Sequence, residues 1–176
     1  MKKKMGAREI VLMGVLIALE IVISRFISVQ TEFFKISFGF IPVVIMGIIF
    51  GPFLAGIGAG LANLFGFFIH PVGQFFPGFT LTAALMGIIY GVFFYGKKIS
   101  WQRMVIASVI ASVVETGLNT LWLYLTLGSK TVLFYLPTRL ITAIVMIGVK
   151  ILVIRLITEK DLLRKTLTDS YQFFNE

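Results

Sequence analysis

Apolar residues run through this chain in blocks too long and too continuous for a soluble protein. Their breaks predict six membrane segments: residues 9–28, 39–50, 52–69, 78–95, 103–127 and 132–158. Each longer block holds about 20 mainly apolar residues, the length that crosses a hydrocarbon core. The second is short, and only the Gly51-Pro52 pair separates it from the third. A Gly/Pro break at membrane depth is tolerated where protein or water covers the exposed backbone. The expected fold is an all-α integral membrane protein, a six-helix bundle in one domain spanning residues 1–176. Residues 159–176 are charged and read as a cytosolic tail.

Composition agrees. The 176 residues are 58% hydrophobic and 14% charged, against roughly 25% charged in a soluble domain. There is no cysteine and one histidine, which excludes disulfides, thiol catalysis and cysteine-based metal sites. No metal or cofactor is expected. The net charge of +8 does not imply nucleic acid, because the basic residues flank apolar blocks. Lys2, Lys3, Lys4 and Arg8 precede the first block. Lys97, Lys98 and Arg103 lie between the fourth and fifth. Arg155, Lys160, Arg164 and Lys165 close the sixth. The positive-inside rule places these clusters, and both termini, in the cytoplasm of a bacterial cell. The first block outruns the roughly 7–15 apolar residues of a signal peptide and lacks a clear cleavage site, so it reads as a retained helix.

A few polar groups interrupt the apolar blocks. Ser108, Ser112, Glu115, Asn119 and Trp122 fall on one stripe of the fifth segment, which must face the bundle interior. Small hydroxyls often serve only as hydrogen-bonding glue between helices. A carboxylate at membrane depth is different: it costs about 2.5–3.5 kcal/mol and marks a substrate path. Glu115 and Asn119 are therefore candidate ligand contacts. Arg139 lies about 10 Å below the outer start of the sixth segment, at the depth of Asn119. Its planar fork suits a carboxylate or a heteroaromatic carbonyl. Arg25 sits one turn below the outer end of the first segment, where snorkelling to the interface explains it equally well. Glu20 lies deeper, away from the Gly14 and Ala18 face, and is assigned no role. Lys150 and Arg155 read as snorkelling toward the cytoplasm.

The outer loops 29–38 and 70–77 are long enough to fold over a cavity, whereas 128–131 is a turn. His70 reads first as an ordinary loop histidine. Phe33, Phe34, Phe75, Phe76 and Phe79 cluster in or beside these loops, where they could stack on a flat ring. Small-residue pairs at Gly14/Ala18, Gly47/Gly51 and Gly56/Gly60 would allow close helix approach. The stretch GVFFYGKK (91–98) approaches a phosphate-binding loop but lacks the hydroxyl after the lysine and the preceding strand. No energy source is visible in the sequence, so a partner would have to drive any uptake.

Three stretches carry a resemblance: SRFISVQTEFFKISFGFIP (24–42), FPGFTLTAALMGIIYG (76–91) and GLNTLW (117–122). With the six expected spans, they resemble the substrate-binding S components of energy-coupling factor (ECF) transporters, and the folate-specific members in particular. The resemblance covers nearly the whole chain. It implies a non-enzymatic subunit that captures a vitamin from outside. The subunit would dock on a transmembrane coupling protein energised by two cytosolic ATPases. The family's docking motif, a pair of alanines four residues apart, is matched by Gly14 and Ala18 with one alanine replaced. For folate, the resemblance points to Asn119, Trp122, Arg139, Glu115 and the loop residues Phe76, Pro77, Gly78, Phe79 and Thr80. Arg25 and His70 would stand near the mouth for the glutamate carboxylates. An S component for riboflavin, thiamine or a queuosine precursor is the nearest alternative. A stand-alone carrier lacks a visible inverted repeat, and a lipid-modifying enzyme lacks clustered acids.

Overall fold

The computed structural model describes residues 6–30, 35–71 and 74–159. The lysines at positions 2–4, Phe33, Phe34 and most of the expected cytosolic tail lie outside the described residues. The described chain forms α1 (Ala7–Phe26), β1 (Val29–Gln30), β2 (Lys35–Ile36), α2 (Phe40–Ile69), α3 (Pro77–Phe94), α4 (Trp101–Leu127) and α5 (Ser129–Glu159). The two short strands pair antiparallel, Val29 opposite Ile36 and Gln30 opposite Lys35. Four helices among the described residues are long and apolar enough to cross a membrane: α2, α3, α4 and the Leu133–Thr158 part of α5. The first helix is not one of them; it carries Arg8, Glu9, Glu20 and Arg25.

The expectation of six helices is therefore corrected to five. Segments 39–50 and 52–69, read as separate, form the single element α2, interrupted by one residue. Gly51 has φ +77° and ψ −179°, a conformation open to glycine and costly for residues with a Cβ. Pro52 follows it and can start a helical turn, because its missing N–H is not needed there. No loop separates the arms, so the break reads in sequence as a boundary and folds as a sharp bend.

The contacts define that bend. A methyl group added at Gly58 would lie 2.8 Å from the Met46 sulfur. In a straight helix residues so spaced stand about 18 Å apart, so the chain doubles back at Gly51. Both ends of α2 accordingly reach the end of α1: Gly39 lies against Ser24 and Glu20, and Gly66 against Arg25.

The tightest seam joins α2 to α3. A Cβ at Gly87 would stand 2.3 Å from the Ala55 carbonyl oxygen, and one at Gly91 would stand 2.4 Å from Pro52 Cα. Helices in a membrane gain little from apolar burial against one another, so close backbone approach through small residues supplies the contact. The seam continues into a core of Met46, Ile48, Tyr90, Phe94 and Ile154, each at most 1% exposed. At the ends, Ser100 Oγ accepts the Arg103 amide (3.4 Å) at the start of α4. Gly128, at φ +83°, turns the chain directly into α5.

Candidate functional site

Five helices contribute stripes of residues to one cavity of about 270 Å³. The stripe on α5 is Arg139, Thr142, Ala143, Met146 and Lys150. That on α4 includes Ser112, Glu115, Thr116, Asn119, Leu123 and Thr126. Both advance by three and four residues, the signature of one helical face. From Arg139 to Lys150, and likewise from Phe79 to Tyr90, the lining descends roughly 16 Å at 1.5 Å per residue. The cavity is a deep slot.

Its character changes with depth. Phe67, Phe75, Phe76 and Phe79 surround the upper part. Phe67 and Phe75 stand 5.1 Å apart, and Phe76 lies 5.5 Å from the Trp122 ring. These separations are those of interacting aromatic rings. Arg25 also reaches this level and donates to the Asn63 carbonyl at 3.2 Å. At middle depth, Asn119 Oδ1 and Arg139 Nε are buried with no hydrogen-bonding partner. Buried polar atoms are rarely left so, since each forfeits about 1–3 kcal/mol of desolvation; a ligand would supply the missing bonds. At the floor, Lys150 Nζ donates to Glu115 Oε2 at 2.8 Å and to Ser112 Oγ at 3.1 Å, beside Tyr90.

Arg25, Phe76, Phe79, Glu115, Asn119 and Arg139 thus share one lining. Five other candidate residues do not belong to it. Trp122 stands behind Phe76, donating its indole N–H to Thr82 Oγ1 at 2.9 Å. Gly78 makes room for that indole: a Cβ there would lie 2.5 Å from the ring. Thr80 donates to Asn63 Oδ1 (3.3 Å), Pro77 begins α3, and His70 is exposed against Phe26 with ring centroids 5.7 Å apart. Gly14 and Ala18 lie exposed on α1, and nothing comes within 4 Å of a Cβ placed at Gly14.

Several lining residues escape sequence reasoning, among them Glu20, Thr82, Thr116, Lys150 and Asn63. Lys150 does not snorkel; it is 3% exposed and paired. Its signal was the spacing of eleven residues from Arg139, three turns along the same face. Asn63 is the sole polar side chain of α2, and for that reason it should have stood beside Asn119 as a candidate.

A membrane bundle around one deep slot, with aromatic rings at one level and polar groups below them, is the architecture of a small-molecule binding protein. The family model for the ECF transporter substrate-specific component matches residues 8–158, and the chain belongs to that family. It is 45% identical over 143 residues to the folate transporter FolT of Clostridium novyi (strain NT), covering 81% of this chain and 83% of that protein. The FolT of Leuconostoc mesenteroides is 34% identical over 122 residues, 68% of this chain and 65% of that one. A crystal structure of FolT bound with folic acid superposes with a TM-score of 0.79 at 43% identity, covering 85% of this chain and 90% of the other.

Proposed function

We propose that this chain is the folate-capturing subunit of an ATP-driven ECF importer. The observation that carries this reading is the slot itself. It is deep enough for an elongated ligand and aromatic where a flat ring would enter. Unsatisfied polar atoms at Asn119 and Arg139 await a heterocycle's donors and acceptors. Phe76 and Phe79 would stack on the ligand, and Arg25 near the mouth would attract its carboxylates. The similarity to FolT proteins, including one solved with folic acid, supports folate over other vitamins.

The slot opens at the end of the bundle away from Lys97, Lys98, Arg103 and Arg155. By the positive-inside rule those residues face the cytoplasm and the mouth faces out. The described chain also begins and ends at that basic end, so both termini are cytoplasmic in a bacterial cell membrane. The open face of α1 around Gly14 and Ala18 is the surface offered to the transmembrane coupling protein. Two cytosolic ATPases would act through that partner.

Calorimetric titration of folic acid into the purified protein tests the reading, with riboflavin and thiamine as controls. One-to-one binding of folic acid alone, without partner or ATP, is the expected result. A folded, monodisperse sample that ignores folic acid and binds a control vitamin overturns the folate assignment.

A further inference from the structure

Phe76 lines the slot yet lies outside any helix. It is the residue before α3, with extended backbone (φ −137°, ψ 126°), so helix geometry does not fix its side chain. Holding such a ring in one orientation costs conformational entropy, which its neighbours must offset. Those neighbours are aromatic. The Trp122 ring of α4 lies 5.5 Å away with the planes inclined by 39°, and Phe79 meets Phe76 edge-on at 6.4 Å. Both separations are those of attractive ring pairs. Trp122 is itself held. Its indole N–H donates to Thr82 Oγ1 at 2.9 Å, and that hydroxyl donates to the Gly78 carbonyl at 3.1 Å. Thr82 is buried. Gly78 leaves the space for both rings: a Cβ there would lie 2.5 Å from the Trp122 ring and 2.7 Å from that of Phe76.

Packing α3 on α4 does not by itself require this arrangement. The bond from Trp122 to Thr82 would join the two helices without a glycine where the two rings converge. Nor does Trp122 belong to the slot, whose lining includes Phe76, Phe79 and Thr82 but not the indole. We propose that Trp122 is a positioning residue. It holds the Phe76 ring at the angle at which Phe76 meets the flat ring of the ligand, and Gly78 is the gap that lets the two rings nest. Trp122 therefore raises affinity through Phe76 and not by touching the ligand. A ring set in place beforehand spares the entropy of ordering it on binding. This inference rests on the folate reading above and adds a residue outside the slot to those that set affinity.

The test is a double-mutant cycle, read by calorimetric titration of folic acid into the purified protein. Phe76→Leu and Trp122→Leu should each weaken binding about three- to tenfold, the range of an aromatic pair. In the Phe76→Leu background, Trp122→Leu should weaken it no further, because no ring is left to position. Trp122→Phe separates this role from a structural one. It keeps a ring against Phe76 and loses the bond to Thr82. Its melting temperature should therefore fall while its affinity stays within about twofold of wild type. Should Trp122→Leu not fold, Gly78→Ala takes its place. The added methyl would displace Phe76, the ring outside the helix, and should weaken binding only where Phe76 is present. Losses that multiply in the double variant would show Trp122 acting independently of Phe76 and would overturn the proposal. So would unchanged affinity in Trp122→Leu or Phe76→Leu, or affinity that tracks the melting temperature across the Trp122 variants. A folded wild type that ignores folic acid would instead overturn the folate reading.

Discussion

The two sides of this bundle are built on opposite principles. Along the α2–α3 seam, glycines bring backbones into contact, and half of the most apolar stretch of α2 is buried. On the α4–α5 side the corresponding share for α5 is 17%, and the Lys150–Glu115 pair bridges the helices beside the slot. The first side is a scaffold whose geometry tolerates no added atoms. The second is a wall carrying more of the slot's polar lining, including Glu115, Asn119, Arg139 and Lys150, although Asn63 and Thr82 of the first side line it too. Affinity and stability should therefore be separable by mutation, since much of the slot's polar lining lies on α4 and α5, outside the glycine seam.

Substitutions in the seam should have the largest effect. Gly87→Ala would gain about 1 kcal/mol of helix propensity. Its Cβ, however, would meet backbone of Ala55 at 2.3–2.5 Å, where no flexible side chain can yield. Overpacking should win by about 3 kcal/mol or more, seen as a sharply lowered melting temperature in detergent or loss of folded protein. On the wall, Arg139→Ala and Asn119→Ala should each weaken folic acid binding about ten- to a hundredfold by calorimetry. Both should leave the melting temperature nearly unchanged, because Asn119 Oδ1 and Arg139 Nε have no hydrogen bond to lose in the unliganded protein.

Lys150→Met breaks the tie across the wall. Loss of one partner from a buried pair costs about 3–5 kcal/mol. The Glu115 side chain is 39% exposed, so about 1–3 kcal/mol is expected here, and the neutral double variant should recover part of it in a thermal melt. Trp122→Phe removes one hydrogen bond to Thr82 and should cost about 1 kcal/mol. The smallest effect on the isolated protein belongs to Gly14→Leu, at an exposed position where an added Cβ meets nothing within 4 Å. It should leave folding and ligand binding unchanged and weaken association with the coupling partner in a pull-down.

The difference between the two sides also accounts for what was legible in the sequence. The apolar blocks are long, so helices α1, α3, α4 and α5 are readable within a few residues. The polar stripe on α4 is readable too, because a carboxylate within an apolar block must turn inward, away from lipid. Helix number was not, because a bend at one glycine and a boundary between two helices leave the same Gly-Pro trace. Trp122 is a candidate by sequence, and only tertiary packing shows its ring 5.5 Å from Phe76 and its indole N–H donated to Thr82. Lys150 was misread because snorkelling and pairing both suit a lysine near a helix end. Only the position of Glu115 on the neighbouring helix decides between them.

Whether folate occupies the slot between the α3 start, α4 and α5 is tested most directly by a crystal structure of this protein grown with folic acid. We expect one ligand in the slot, its ring level with or below Asn119 and Arg139 and its carboxylates toward Arg25 and the mouth. Ligand bound elsewhere on the bundle, or a slot filled by rearranged side chains in a protein that binds folic acid in solution, would contradict that placement.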